Sequence, residues 1–375
     1  MDLGARLREG LVDGMVGEGV LSDPRWVRAF REVPREAFLP GFFAQREDGA
    51  WVPVTSGDPD WLRLVYRDDV RVTQLDGDDG AWSRARELGW ARGVPTSSSS
   101  MPTIMAIMLE ALGAEDGHRV LEIGTGTGYN AALLSAGLGS SAVVTVDVDP
   151  AVLSRARAAL AAAGWSPTCA RADGAGGWPE AAPYDRVLGT CAVSRVPLPW
   201  LEQTRPGGVV VTTLNRPLGA GLIRLTALGG QRAEGRVLAE DGRFMPLRAH
   251  AAGWAEGALA RAATAVPEET RATSLPAHEV VHPGSGYEFF AGLVLRGAVV
   301  TMNPVLLAHE DGSWARPRAG LVSQGGPRRL WTEAEEGHRE WTALGRPRRS
   351  RFGVTVEGED QRFWLDSPEG PSWAV

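Results

Sequence analysis

Three acids and a run of small residues in the middle of the chain have the types and spacing to hold a nucleoside-like cation. Val120-Leu121-Glu122-Ile123 leads straight into Gly124-Thr125-Gly126-Thr127-Gly128. A glycine loop between a strand and a helix brings backbone N–H groups and a helix N-terminus close to a ligand. Nicotinamide and flavin sites use the same loop, so the acids around it carry the discrimination. Glu122, two positions before the first glycine, would repel a pyrophosphate. S-adenosylmethionine has no phosphate and carries a sulfonium and an ammonium, so it tolerates or uses an acid there. Asp147, followed by Val148, lies about 20 residues beyond the loop, where a carboxylate can accept both ribose hydroxyls. Asp173, followed by Gly174, is placed to receive the adenine amino group.

These residues need a scaffold that delivers them from the ends of successive strands. Strands are expected over 119–123, 142–147, 168–171, 185–190 and 209–214, the last entered through a turn at 205–208. Helices are expected over 129–136 and from Pro150, with Asp149 as N-cap, to near Gly164. Strand, glycine loop, helix, then a strand ending in an acid describe a doubly wound α/β domain with a parallel sheet. Three zones follow. Residues 1–96 are helical at first, then irregular and rich in Gly, Asp and Trp, a substrate-side insertion; 97–248 form the cofactor-binding core; 249–375 are expected to form a substrate-recognition extension with β structure. Within the extension, 351–356 and 361–365 read as a hairpin across 357–360.

Bulk composition narrows the class. The chain has 375 residues, enough for two domains, and 43% hydrophobic residues, as soluble globular proteins do. No apolar run approaches the ~20 residues of a membrane span, and the first residues lack a signal-peptide plan; a cytoplasmic monomer is expected. A net charge of −7 argues against nucleic acid as the main partner. Every basic side chain other than His is Arg. Cys169 and Cys191 read as small buried hydrophobes. His250, His278, His282 and His309 show no i, i+4 ligand pair, so no metal is expected. Arg346, Arg348, Arg349 and Arg351 make a basic cluster that reads as a solvated turn, or else as a contact for an acidic peptide.

The chain resembles the protein-L-isoaspartate O-methyltransferase family over roughly residues 10–245. The stretch from Arg31 through Val33-Pro34-Arg35 to Phe38 and Pro40 is similar to that family's N-terminal signature. Asp173 through Trp178, Ala182 through Asp185 and Pro206-Gly207-Gly208 match later segments in order. The resemblance implies a class I methyltransferase fold, S-adenosylmethionine as cofactor and methyl esterification of a carboxylate. It also implies that Ser98-Ser99-Ser100-Met101-Pro102 stands where the family has Thr-Ile-Ser-Gln-Pro, with Ser100 at the active-site serine and Ser98 at the threonine. A carboxylate is ionised at neutral pH and needs no general base. It needs one oxygen held in line with the methyl group, away from water, and hydroxyls at Ser98, Ser99 and Ser100 suit that task.

Three departures from the repair enzymes stand out: the distended 41–96 segment, Ser99 and Met101 in place of Ile and Gln, and the extension beyond the core. Such features are similar to a branch of the family in ribosomal-peptide pathways, which methylates an Asp of a macrocyclised lanthipeptide or graspetide on the way to aspartimide and isoaspartate. The expected partner is therefore a cyclised precursor peptide. The alternatives are an isoaspartate repair enzyme with an appended domain, a non-catalytic S-adenosylmethionine-binding module and, more distantly, a nicotinamide oxidoreductase.

Overall fold

Capped helices open the chain. In a computed structural model describing residues 2–215 and 218–375, the Asp2 side chain accepts from Ala5 N at the head of α1 (Leu3–Gly17). Asp23 does the same for Arg25 N at the head of α2 (Pro24–Glu32), where Pro24 fits the first turn. Trp26 and Phe30 of α2 are buried. A Cβ on Gly137, in the later helix Tyr129–Leu138, would stand 2.5 Å from the Trp26 ring, so only glycine lets that helix approach α2.

The segment expected to be irregular is instead a folded sheet. Strands β1 (Gly41–Gln45) and β2 (Trp51–Thr55), helix α3 (Trp61–Val65), strand β3 (Arg71–Leu75), helix α4 (Gly80–Leu88) and strand β4 (Pro95–Ser99) follow in turn. The strands pair antiparallel in the order β2-β1-β3-β4, with Phe43 opposite both Pro53 and Val72. Phe43, Trp51, Val72, Leu75, Ala81 and Ala85 form its core, with Trp82 packed against them. Trp51 and Trp82 of this Trp-rich segment are therefore core material, whereas Trp90 is exposed. Strands of five residues, with neighbouring Phe42 and Phe43 both buried, lack the period-two alternation that marks a half-buried strand.

Beyond the sheet come α5 (Pro102–Leu112), β5 (Val120–Ile123), α6 (Tyr129–Leu138), β6 (Val143–Asp147), α7 (Pro150–Ala162), β7 (Thr168–Arg171), β8 (Tyr184–Val193), α8 (Leu198–Glu202) and β9 (Thr204–Asn215). The strand order is β9-β8-β5-β6-β7, and β8-β5-β6-β7 pair in parallel. This is the expected doubly wound core. β5 is buried throughout and β6 along all but its last residue, as a sheet covered on both faces requires. Residues 205–208, expected as a turn, lie inside β9, where Gly207 takes a φ of +82°; such a backbone suits a residue without Cβ.

The chain divides into two compact units, the first made of Met1–Cys191 with Pro199–Thr212 and the second of Ala192–Leu198 with Thr213–Val375. This division differs from the expected zones 1–96, 97–248 and 249–375. The first zone belongs with the core, and 213–248 belong with the extension. The reason is strand pairing. β10 (Ala220–Gly229) and β11 (Arg232–Val237) form an antiparallel sheet with β17 (Phe352–Glu357), β18 (Asp360–Leu365) and β19 (Ser372–Ala374), in the order β10-β11-β17-β18-β19. The β17–β18 hairpin has the expected position, its register closing at Glu357 opposite Asp360. The second unit also holds α9 (Ala255–Thr264), β12 (Glu269–Ala272), α10 (Ala277–Val281), α11 (Glu288–Val294), β13 (Val299–Met302), β14 (Val305–Ala308), β15 (Trp314–Arg318), β16 (Leu321–Gly325) and α12 (Leu330–Ala343). Its second sheet runs β12-β16-β15-β14-β13, all antiparallel. Among the described residues, no helix is long and apolar enough to cross a membrane.

Candidate active site

The glycine loop is held open by its own backbone. Gly124, Gly126 and Gly128 all have positive φ, at +99°, +55° and +86°. Gly124 N and Thr125 N donate to Val146 O at 2.9 and 3.1 Å, and Thr190 Oγ1 donates to Gly124 O at 2.8 Å. A Cβ on Gly124 would meet Thr190 Oγ1 at 2.8 Å, and one on Gly126 would meet Ser98 O at 3.2 Å. The second contact places the serine strand directly against the loop. Thr127 Oγ1 accepts from Tyr129 N at 3.4 Å, where α6 begins.

Asp147 closes the loop from the far side. Its Oδ2 accepts from Gly126 N and its Oδ1 from Asp149 N, both at 3.0 Å. Asp149 Oδ1 caps α7 through Ala151 N and Val152 N. Val148 between them is exposed. Asp173 Oδ1 accepts from Ala175 N at 3.0 Å, and Trp200 Nε1 donates to Gly174 O at 2.7 Å, which fixes that turn. The Cys191 thiol is pushed up to about 12 by burial and then by the charges of Asp147 and Asp173. Both acids thus act on one spot at the sheet's carboxyl edge, where open α/β sheets bind ligands.

Glu122 plays a different part from the one its position suggests. It is fully buried, and its oxygens accept from Asn130 Nδ2 and Thr145 Oγ1, each at 2.6 Å. Thr145 Oγ1 also bonds Thr125 Oγ1 at 2.8 Å. Burial raises the carboxyl to about 7, against the lowering effect of these two bonds, and nearby Asp147 adds to the rise. Glu122 braces the loop from beneath and has no surface left for a ligand.

The serines divide between two faces of β4 and its end. Ser98 and Ser100 are half-buried, whereas Ser99 is 3% exposed and its Oγ has no hydrogen-bond partner. Strand alternation turns Ser99 to the other side, opposite Arg71 of β3. The three hydroxyls therefore do not act as one set. Arg35, to which the sequence assigns no role of its own, is the missing support. It is fully buried; Nη1 donates to Val65 O and Arg67 O, and Nη2 to Asp69 O and Ser100 O at 3.1 and 2.9 Å. Its guanidinium stands 5.9 Å from the Tyr129 ring, and burial lowers it to about 10. Asp68 Oδ1 accepts from Thr103 N at the head of α5. One arginine and one loop thus fix the end of the serine run.

Other sequence candidates find local partners. Arg349 pairs with Asp241 at 2.9 Å, Arg351 with Asp366 at 2.6 Å, and Arg346 lies over Trp341. His250 Nδ1 meets Ser194 Oγ, and His309 pairs with Asp311. Among the described residues, no group of three His, Cys, Asp or Glu is arranged to hold a metal ion.

A family model for protein-L-isoaspartate(D-aspartate) O-methyltransferase matches residues 89–247. A protein-L-isoaspartate O-methyltransferase of Anaeromyxobacter sp. is 31% identical over 60% of this chain and 89% of its own length. The chain belongs to the protein-L-isoaspartate O-methyltransferase family. Another member, from Methylorubrum populi, is 43% identical over 36% of this chain, and the match spans 64% of that enzyme's length. A solved structure of a protein-L-isoaspartate O-methyltransferase, 24% identical, covers 96% of this chain and 100% of its own with a TM-score of 0.55. The fold is therefore that of a class I methyltransferase with an added C-terminal β-containing region, and the methyl donor of this family is S-adenosylmethionine.

The residues present suit that donor. The cradle at Gly124 and Gly126 admits a ligand's atoms where side chains would intrude, and the acids Asp147 and Asp173 would disfavour a pyrophosphate.

Proposed function

We propose that this protein esterifies an Asp side-chain carboxylate in a macrocyclic, ribosomally made peptide, using S-adenosylmethionine. The observation that carries the transfer reading is the approach of Ser98 O to Gly126, with Ser100 anchored by Arg35. The backbone of the serine run is thus held beside the donor loop, which supports an in-line transfer between two bound partners. The donor supplies an electrophilic methyl group on a sulfonium. Asp147 would hold the ribose diol, Asp173 the adenine amino group and Gly174 the ring's edge, while Thr125 and Thr127 shape the loop. Ser98 and Ser100 would donate to one oxygen of the acceptor carboxylate, leaving the other free to attack. The ester carbonyl is then open to the next backbone amide of the peptide, which forms the imide and releases methanol. This product is the aspartimide, and water can open it to isoaspartate.

Support for the macrocyclic acceptor comes from the serine run itself, with Ser99 and Met101 where the family motif carries Ile and Gln, and from the folded sheet β1–β4 beside it. The full-length fold likeness to a protein-L-isoaspartate O-methyltransferase favours a second reading, repair of isoaspartyl linkages. One assay separates them. Purified protein with labelled S-adenosylmethionine is offered a linear isoaspartyl peptide, its L-aspartyl counterpart and a macrocyclic L-aspartyl peptide. Ester formation on the macrocycle alone is expected. Turnover confined to the isoaspartyl peptide would establish repair instead, and S-adenosylmethionine binding without any methanol release would mark a non-catalytic module.

A further inference from the structure

Gln74 lies on β3, in the sheet between the N-terminal helices and the core, and is 3% exposed. Its Nε2 donates to Asp149 Oδ2 at 3.0 Å and, more weakly, to Asp79 Oδ1 at 3.3 Å. Its Oε1 accepts from Thr96 Oγ1 at 2.9 Å, and Thr96 Oγ1 in turn accepts from Gly77 N. Asp149 N donates to Asp147, which accepts from Gly126 N. Gly126 lies against Ser98 O, two residues along β4 from Thr96. The contacts close a ring: Ser98, Gly126, Asp147, Asp149, Gln74, Thr96 and back along the strand to Ser98. Its members come from four sequence segments, and one neutral amide joins the sheet's half to the core's half.

That amide is suited to its place. Gln74 faces two carboxylates, Asp79 and Asp149, with Asp147 behind them and Arg155 pairing Asp79 at 3.1 Å. A neutral donor–acceptor side chain can bond a carboxylate on one side and a hydroxyl on the other; an acid there would add a third negative charge. We infer that Gln74 is a positioning residue that ties the serine strand to the donor-site acid Asp147, so that donor binding is felt at β4 and loss of the amide weakens donor binding. The inference rests on the donor-site reading above and deepens it: the sheet β1–β4 becomes part of the cofactor site's framework. Coupling of this kind is reciprocal in free energy.

The test uses the full chain and S-adenosylhomocysteine as probe, with calorimetry at pH 8 and pH 5.5 and amide hydrogen exchange at 97–99. Gln74→Met keeps the volume and removes both bonds. Gln74→Glu keeps the acceptor for Thr96 but loses the donor toward Asp149 until it is protonated. Thr55→Val, which removes only the Thr55 Oγ1 bond to Asp58 at the end of β2, is the control for a loosened sheet. Gln74→Met is expected to weaken the probe five- to tenfold at both pH values. Gln74→Glu is expected to weaken it at pH 8 and to recover at pH 5.5. The probe should slow exchange at 97–99 in the native protein and not in Gln74→Met. Native affinity in both variants overturns the inference, as does an equal, pH-independent loss that Thr55→Val reproduces. If the unaltered protein fails to bind the probe, the donor-site reading itself falls.

Discussion

Glu122 offers the most direct check on the architecture of the site, because its burial has a thermodynamic signature. Its carboxyl titrates near 7 in the folded protein, against 4.5 for the free group. The unfolded chain therefore loses this proton first as pH rises, and the folded state holds it longer. The stabilisation is complete below about 4.5, declines between about 4.5 and 7, and is gone above that window. A tenfold difference in proton affinity between folded and unfolded states is worth about 1.4 kcal/mol, so the full loss is roughly 3 kcal/mol. Glu122→Gln is neutral at every pH and still has an oxygen to accept from Asn130 Nδ2 or Thr145 Oγ1. Relative to the native protein, the variant should gain roughly 3 kcal/mol between pH 4.5 and 8. Comparing both proteins at each pH cancels the titration of every other group. Chemical denaturation across that range, followed by hydrogen exchange in β5 to isolate the local transition, measures the difference. A difference that stays flat with pH would refute the account, since Glu122 would then be ionised throughout and its burial offset by its hydrogen bonds.

Three further outcomes follow from the same geometry. Asp147→Ala should weaken S-adenosylmethionine by roughly 1–3 kcal/mol, because it frees Gly126 N and removes the carboxylate proposed to accept the ribose hydroxyls; calorimetry showing unchanged affinity would remove Asp147 from that role. Ser98→Ala and Ser100→Ala should each slow methyl transfer while donor affinity stays near native, and parallel loss of both would move these serines to the donor side. Arg35→Lys should lower stability by roughly 3 kcal/mol, since one ammonium cannot replace a fork that bonds four carbonyls, Ser100 O among them; a melting temperature equal to that of the native protein would contradict the buried clamp.

The core is legible in the sequence because its signals are local. Asp149-Pro150 caps and starts a helix within a few residues, and the glycine loop announces both the strand before it and the helix after it. The sheet β1–β4 is not, because its strands are short, its buried positions are adjacent, and buried Arg71, Gln74 and Ser99 break the apolar pattern. Glu122 misleads for a related reason. A strand buried on both faces carries no alternation to tell which way an acid points, and only Asn130 and Thr145, 8 and 23 positions away, reveal that it turns inward. Arg35 stands in a recognisable phrase, but its carbonyl partners lie 30 to 65 positions downstream. Long-range bonds of that kind leave no periodicity behind them.

The pairing of β11 with β17 has a consequence for how the chain is made. β11 ends at Val237, and its partner begins at Phe352, about 115 positions later. At roughly 5–20 residues per second, a ribosome needs on the order of ten seconds to deliver the second strand after the first. Throughout that interval β10 and β11 form a hairpin with one open edge, a ready template for the strands of another nascent chain. The first unit has by then left the exit tunnel entire. Synthesis thus passes through a stage with a complete cofactor-binding half and an unfinished second half. The final hairpin, β17–β18, is the piece that covers the waiting edge, so a premature stop between Val237 and Phe352 leaves that edge open to self-association.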